Sequence, residues 1–123
     1  MPLYRCHCPK GSLSGTAREQ IANAITDIHC EETGAPRTFV HVFFFETDAE
    51  GAHSVTGSIR AGRNDDQKAA IQTRIAQSYA TSAGLKPEAV HVTTMDVPAS
   101  WVMEGGHLLP EPGEEEAWLK SHH

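Results

Sequence analysis

VHVFFFE at residues 40–46 returns fifty positions later as VHVTTMD at residues 90–96. Val40, His41 and Val42 align with Val90, His91 and Val92, and Glu46 aligns with Asp96. Upstream, the same offset matches Ile21 with Ile71, Ile25 with Ile75 and Gly34 with Gly84. Each copy reads as an apolar helical stripe, a glycine stop and a strand. Two copies are too few for a solenoid. They predict two similar halves, each strand–helix–strand.

In the first half, Thr16-Ala17-Arg18-Glu19 has a capping-box pattern, so a helix is expected to start near Ser14 or Thr16. Ala17, Ile21, Ala24, Ile25 and Ile28 then recur at helical spacing. Gly34 supplies a left-handed stop and Pro36 prevents continuation. The second helix is expected to open at Asn64-Asp65-Asp66-Gln67, with stripe residues Ile71, Ile75, Tyr79 and Ala83 and a stop at Gly84. Between them Phe39–Phe45 is apolar on both alternating faces, which predicts a central strand covered on both sides. Asp48–Gly51 reads as a turn, and residues 53–59 and 89–96 as two further strands. The order is β-α-β-β-α-β: an α/β two-layer sandwich, a four-stranded mixed sheet with two helices on one face. The helices cover only that face, so a second subunit is expected on the other.

The chain has 123 residues, 39% hydrophobic and 21% charged, which suits one globular domain over residues 1–123. The two pseudo-repeats span about 1–50 and 51–100, and 101–123 form a tail. No run approaches the roughly 18 apolar residues of a membrane span, and no signal segment is evident, so a cytoplasmic location is expected. A net charge of −6 argues against nucleic acid as a partner. Cys6, Cys8 and Cys30 are odd in number and do not read as a disulfide framework. Cys6-His7-Cys8 alternates its side chains across a strand, unlike the spacing of a structural zinc site, so no metal is expected. The terminal His122 and His123 are read as the start of a tag, without function.

Behind Met1 stands Pro2. Proline suits the first residue of a strand because it lacks an N–H. It also suits catalysis. Methionine is commonly trimmed ahead of proline, and trimming would leave Pro2 as a free secondary amine. An α-amino group titrates near about 7.7–8.0, and burial or nearby cations lower it toward a base useful at neutral pH.

With that proline ahead of two β-α-β repeats, the chain resembles the tautomerase superfamily. Ile25-Thr26-Asp27-Ile28-His29 resembles the helix segment of the cis-3-chloroacrylic acid dehalogenase group, which carries a substrate-contacting histidine. Ile59-Arg60-Ala61-Gly62-Arg63 resembles the R-x-G-R segment of that group, whose two arginines bind a carboxylate. Pro110-Glu111-Pro112-Gly113 resembles its P-x-P-G segment, and Glu116 stands two residues before Trp118 as in that group. The resemblance runs from residue 2 to about 119. Two features depart. The group's longer stretch between the second and third strands is cut here to roughly residues 47–55, and its E-Y-G-R segment reads Glu104-Gly105-Gly106-His107, so the tyrosine used in adding water is replaced by Gly105.

The resemblance implies a cofactor-independent enzyme on a small-molecule carboxylate, built as a homo-oligomer and, within this family, a homotrimer. Pro2 would shuttle a proton, Arg60 and Arg63 would hold the carboxylate, and His29 would contact a substrate oxygen. Glu116 would orient a water or hydrogen-bond Pro2. The expected reaction is keto–enol tautomerisation of a 2-oxo acid such as a phenylpyruvate-like enol, an isomerase activity without cofactor. Alternatives are hydration or dehalogenation of a 3-haloacrylate, and oxygenation of an enol. A non-enzymatic ferredoxin-like binding module uses the same strand order, since fold does not fix function. His41 and His91 lie at repeated strand positions and read as architecture.

Overall fold

The computed structural model of the chain describes residues 1–48 and 50–121. Ala49, in the expected turn between the halves, and the terminal His122 and His123 lie outside the described residues. The first half runs β1 (Leu3–Pro9), α1 (Gly15–Thr33) and β2 (His41–Thr47); the second runs β3 (His53–Arg60), α2 (Asp65–Ala83) and β4 (Val90–Val97). Both helices have 19 residues and start fifty positions apart. Of the two expected starts for α1, the Ser14 cap is the one formed. Its hydroxyl accepts the Ala17 N–H at 3.0 Å, satisfying one of the amides left free at a helix start. At α2 the capping box closes, with Asn64 and Gln67 bonded reciprocally at 2.7 and 2.9 Å. Gly34 and Gly84 end the helices with φ of 76° and 70°, in the left-handed region.

The sheet order is β2-β1-β3-β4. Pairing is parallel within each half and antiparallel between β1 and β3, so the sheet is mixed. Ile21, Ile25, Ile71 and Ile75 from the helices meet Tyr4, Cys6, Val55 and Ile59 from the two inner strands, all buried. The expectation that residues 39–45 form a central strand is corrected here: β2 lies at the sheet edge. A parallel β-α-β unit sets its second strand beside the first, and the antiparallel β1–β3 pair takes the centre. Apolar side chains on both sides of β2 record two faces that need cover, not a place in the strand order. Val42 and Phe44 meet the core, whereas Phe43 and Phe45 stand on the open face, 52% and 43% exposed. Among the described residues no helix is long and apolar enough to cross a membrane.

The tail does what neither repeat does. After β4, a short turn at Ala99–Trp101 leads to a two-stranded hairpin, β5 (Met103–Glu104) and β6 (His107–Leu108), and then to α3 (Glu115–Ser121). Gly105 and Gly106 make the hairpin turn with φ of 58° and 83°. Leu109 and Ala99 bury Met1, and the Trp118 ring meets Phe39 edge-on at 5.6 Å. The tail therefore closes over the chain's own amino terminus.

Candidate active site

The amino terminus is held at the start of β1. The Met1 ammonium donates to the Phe39 carbonyl at 3.0 Å and to Glu104 Oε2 at 2.5 Å. Burial lowers its pKa below the ordinary amine value; Glu104 opposes that and the Arg60 charge reinforces it. Pro2 is fully buried, and its carbonyl accepts the His41 N–H at 3.0 Å. With Met1 attached, the Pro2 nitrogen is an amide and has no basicity.

Arg60 ends β3 and Arg63 follows its turn. Gly62 between them has φ of 113°, and a Cβ there would lie 3.3 Å from Pro112 Cγ, so the tail seats on that glycine. Arg60 is 2% exposed, yet its guanidinium is well satisfied. Nη1 donates to the Pro110 carbonyl at 2.7 Å, Nη2 donates to Glu115 Oε1 at 2.8 Å, and Cζ lies 5.4 Å from the Phe39 ring centre. Arg63 is not satisfied. Its Nη1 reaches the Thr33 carbonyl at 3.4 Å, and Nη2 is 3.9 Å from Glu115 Oε1. Nε and Nη2 are buried without a hydrogen-bond partner. Buried guanidinium nitrogens are normally paired, because an unpaired one forgoes its hydration with no return.

His29, on α1, is 1% exposed, and its Nδ1 is hydrogen-bonded to the Tyr4 hydroxyl at 2.8 Å. Burial, then the charges of Arg63, Arg60 and the amino terminus, push its pKa down to about 3, so the ring is neutral near pH 7. Tyr4 reaches it from β1 only because Gly57 lies opposite. A Cβ on Gly57 would stand 2.5 Å from Tyr4 Cε1.

Glu116 stands apart from this cluster. Its side chain is 89% exposed and pairs with Lys120 at 3.4 Å. Glu115, one position earlier, is the glutamate that faces Arg60 and Arg63. Burial alone would raise its pKa, but hydrogen bonds from Arg60 and backbone amides, with the Arg60 charge, hold it below the ordinary carboxylate value.

Two buried guanidinium groups, one with free donors, thus lie near a buried amine and a neutral imidazole. A family model described as "Putative oxalocrotonate tautomerase enzyme" matches residues 1–63. A crystal structure of N1, a member of the cis-3-chloroacrylic acid dehalogenase (cis-CaaD) family, superposes with a TM-score of 0.93 at 32% identity, covering 98% of this chain and 92% of its own. The chain belongs to the tautomerase superfamily. Native Ps01740 is 41% identical over 84% of this tautomerase-superfamily chain and 100% of its own, with a TM-score of 0.78. A fused 4-OT in an asymmetric trimer is 18% identical, covers 95% and 98% of the two chains, and shares the fold with a TM-score of 0.79. No curated protein matches the chain.

Within this superfamily chain, the structure gathers Pro2, His29, Arg60 and Arg63 at one end of the sheet and leaves Glu116 outside. Sequence reasoning missed Glu115, Glu104, Phe39 and Tyr4. Glu115 was hidden in a run of three glutamates, where only the helical phase of α3 decides which one turns inward. Tyr4 had a readable signal: an aromatic hydroxyl on an otherwise apolar strand face needs a buried partner.

Proposed function

We propose that the chain is a cofactor-independent tautomerase that interconverts the keto and enol forms of a small 2-oxo acid, using Pro2 as acid and base once Met1 is removed. The observation that carries this reading is the buried, unpartnered Nε and Nη2 of Arg63. A carboxylate is the group that accepts two hydrogen bonds from such a fork. Arg60, held by Pro110 and Glu115, contributes charge rather than free donors.

With its Nδ1 accepting from Tyr4, neutral His29 offers Nε2–H to the substrate's carbonyl oxygen and stabilises the enolate that forms there. Pro2 takes a proton from the carbon next to the carbonyl. The C–H electron pair moves into the enolate, and the same nitrogen returns the proton to oxygen or carbon. Burial and the Arg60 charge, which lower the Met1 amine against the pull of Glu104, would push a Pro2 amine in the same direction, toward the free base.

Chain assembly follows the same reasoning. Phe43, Phe45 and Met95 stand exposed on the sheet face away from the helices, which supports a homo-oligomer. The trimeric fused 4-OT suggests three copies. The identity to N1 favours hydration or dehalogenation of a 3-haloacrylate as the second reading. In it Glu116 would activate water, and halide release would decide.

The deciding experiment uses protein whose intact mass lacks Met1. It follows deuterium exchange at the carbon beside the carbonyl of phenylpyruvate by NMR. Pro2→Ala is expected to lower the rate by about 10²-fold or more. Full activity in that variant would end the proton-shuttle reading.

A further inference from the structure

One side chain near the arginines is placed as a ligand would be: that of Met1. It is 8% exposed and belongs to an apolar cluster separate from the main core, with Ala99 and Leu109 as its buried walls. Val97, Val102 and Trp118 close it from the side. The berth begins at Phe39, whose carbonyl holds the Met1 ammonium and whose ring carries the Arg60 guanidinium. It therefore leads from the charged end of the site toward an apolar cluster.

Glu104 is the charge at its mouth. One carboxylate oxygen meets the Met1 ammonium at 2.5 Å, and the other meets His41 Nε2 at 3.2 Å. The residue also lines two open cavities of about 320 and 370 Å³, one reaching Met1 and Phe43, the other Phe39 and Trp118. Removing Met1 frees the Pro2 nitrogen and empties this berth in one step.

We propose that the Met1 berth is the subsite for the non-reacting end of the substrate, and that Glu104 makes the enzyme select 2-oxo monocarboxylates with an unbranched apolar tail over 2-oxo dicarboxylates of the same length. The inference rests on the tautomerase reading above and adds its substrate class. A thioether chain already fits the berth, and flexible, polarizable chains fill such gaps well. A second carboxylate would meet Glu104 at close range, and Arg60 is already committed to Pro110 and Glu115. Like charges brought together in a partly desolvated site are strongly disfavoured.

The test compares two acids that differ only at the far end: 4-methylthio-2-oxobutanoate and 2-oxoglutarate. Exchange of their C3 protons for deuterium is followed by NMR with Met1-free enzyme, alongside phenylpyruvate. The thioether acid is expected to lead by about ten-fold or more in kcat/KM, and Glu104→Gln is expected to shrink that ratio several-fold. A ratio cancels any effect of Glu104 on the amine itself. Equal or better use of 2-oxoglutarate overturns the inference, as does a ratio that Glu104→Gln leaves unchanged. Turnover of phenylpyruvate without the thioether acid overturns it too. Exchange with none of the three acids overturns the tautomerase reading, and this inference with it.

Discussion

The two halves each contain one strand-to-helix hydrogen bond between a tyrosine hydroxyl and a histidine Nδ1, and they contain it in opposite order. In the first half Tyr4 is on β1 and His29 on α1; in the second His53 is on β3 and Tyr79 on α2. Both bonds are 2.8 Å long. The ring centres lie 5.7 and 5.5 Å apart at 73° and 72°. His29 and Tyr79 occupy matching repeat positions, fifty residues apart. The bond is therefore architecture, a way to bury two polar rings between sheet and helix.

What the first half adds to burial is charge. His29 is depressed by burial, by Arg63, by Arg60 and by the amino terminus, whereas His53 is lowered by burial alone. The end of β3 and the turn after it supply Arg60 and Arg63. Fifty positions earlier stand Lys10, which is exposed, and Leu13, which belongs to the core. One half kept a packed leucine where the other buries a guanidinium with free donors.

The strongest way to break this comparison is to make the halves alike. Arg63→Leu copies the Leu13 solution. It is expected to lower kcat/KM for phenylpyruvate about 10²-fold or more, since a clamp on developing charge is lost. Thermal stability should hold or rise, because a buried cation without full pairing disappears. An unchanged kcat/KM would remove Arg63 from the site.

Next in size is Gly57→Ala. Its Cβ would press on the Tyr4 ring at 2.5 Å, against atoms held by the core. A loss of about 1–3 kcal/mol in urea unfolding is expected, the usual range for an overpacked core. Activity should fall with it, because Tyr4 aims His29. Wild-type stability would show that the ring has room to move.

The legible part of the molecule was what the two repeats share. Helix stripes, the Asn64 capping box and stops at Gly34 and Gly84 are local signals and appear where spacing put them, whereas α1 is capped by Ser14 and the Thr16–Glu19 pattern lies inside the helix. His29, Arg60 and Arg63 were legible because each sits in a segment of recognisable pattern. The place of β2 was not, since alternation reports which faces are covered and says nothing of strand order. Glu104 was the hardest. It meets Met1 across 103 positions from a two-residue strand, too short for any periodicity.

A smaller effect sharpens the contrast between the histidines. Unfolded, each would titrate near about 6.5. Folded, His29 does so at about 3, so between those values the unfolded state binds more protons. Its contribution to stability is complete above about pH 6.5 and is lost as pH falls toward 3, by at most about 1.4 kcal/mol per pH unit. His29→Gln should flatten that acid slope more than His53→Gln, because His29 is the more deeply buried and also faces Arg63, Arg60 and the amino terminus. Equal slopes would mean that neither the deeper burial of His29 nor the arginines lower it beyond His53.

The smallest expected effect separates neighbours in one helix. Glu115 Oε1 lies 2.8 Å from Arg60 Nη2, with both side chains largely buried, whereas Glu116 pairs with Lys120 in open solvent. Glu115→Ala strands the Arg60 guanidinium, which is costly because the remaining charge stays buried. Glu116→Gln removes an exposed i,i+4 pair, expected to change stability by less than about 0.5 kcal/mol. The same variant also divides the two chemistries. Tautomerisation passes a proton through Pro2 and needs no activated water, so its rate should stay within about two-fold of wild type, the size of a surface change. Halide release from a 3-haloacrylate, if it occurs, should fall sharply were Glu116 the residue that activates water. Loss of phenylpyruvate exchange in Glu116→Gln would bring α3 into the proton path and move the functional boundary from the Arg60–Glu115 pair to the far side of the helix.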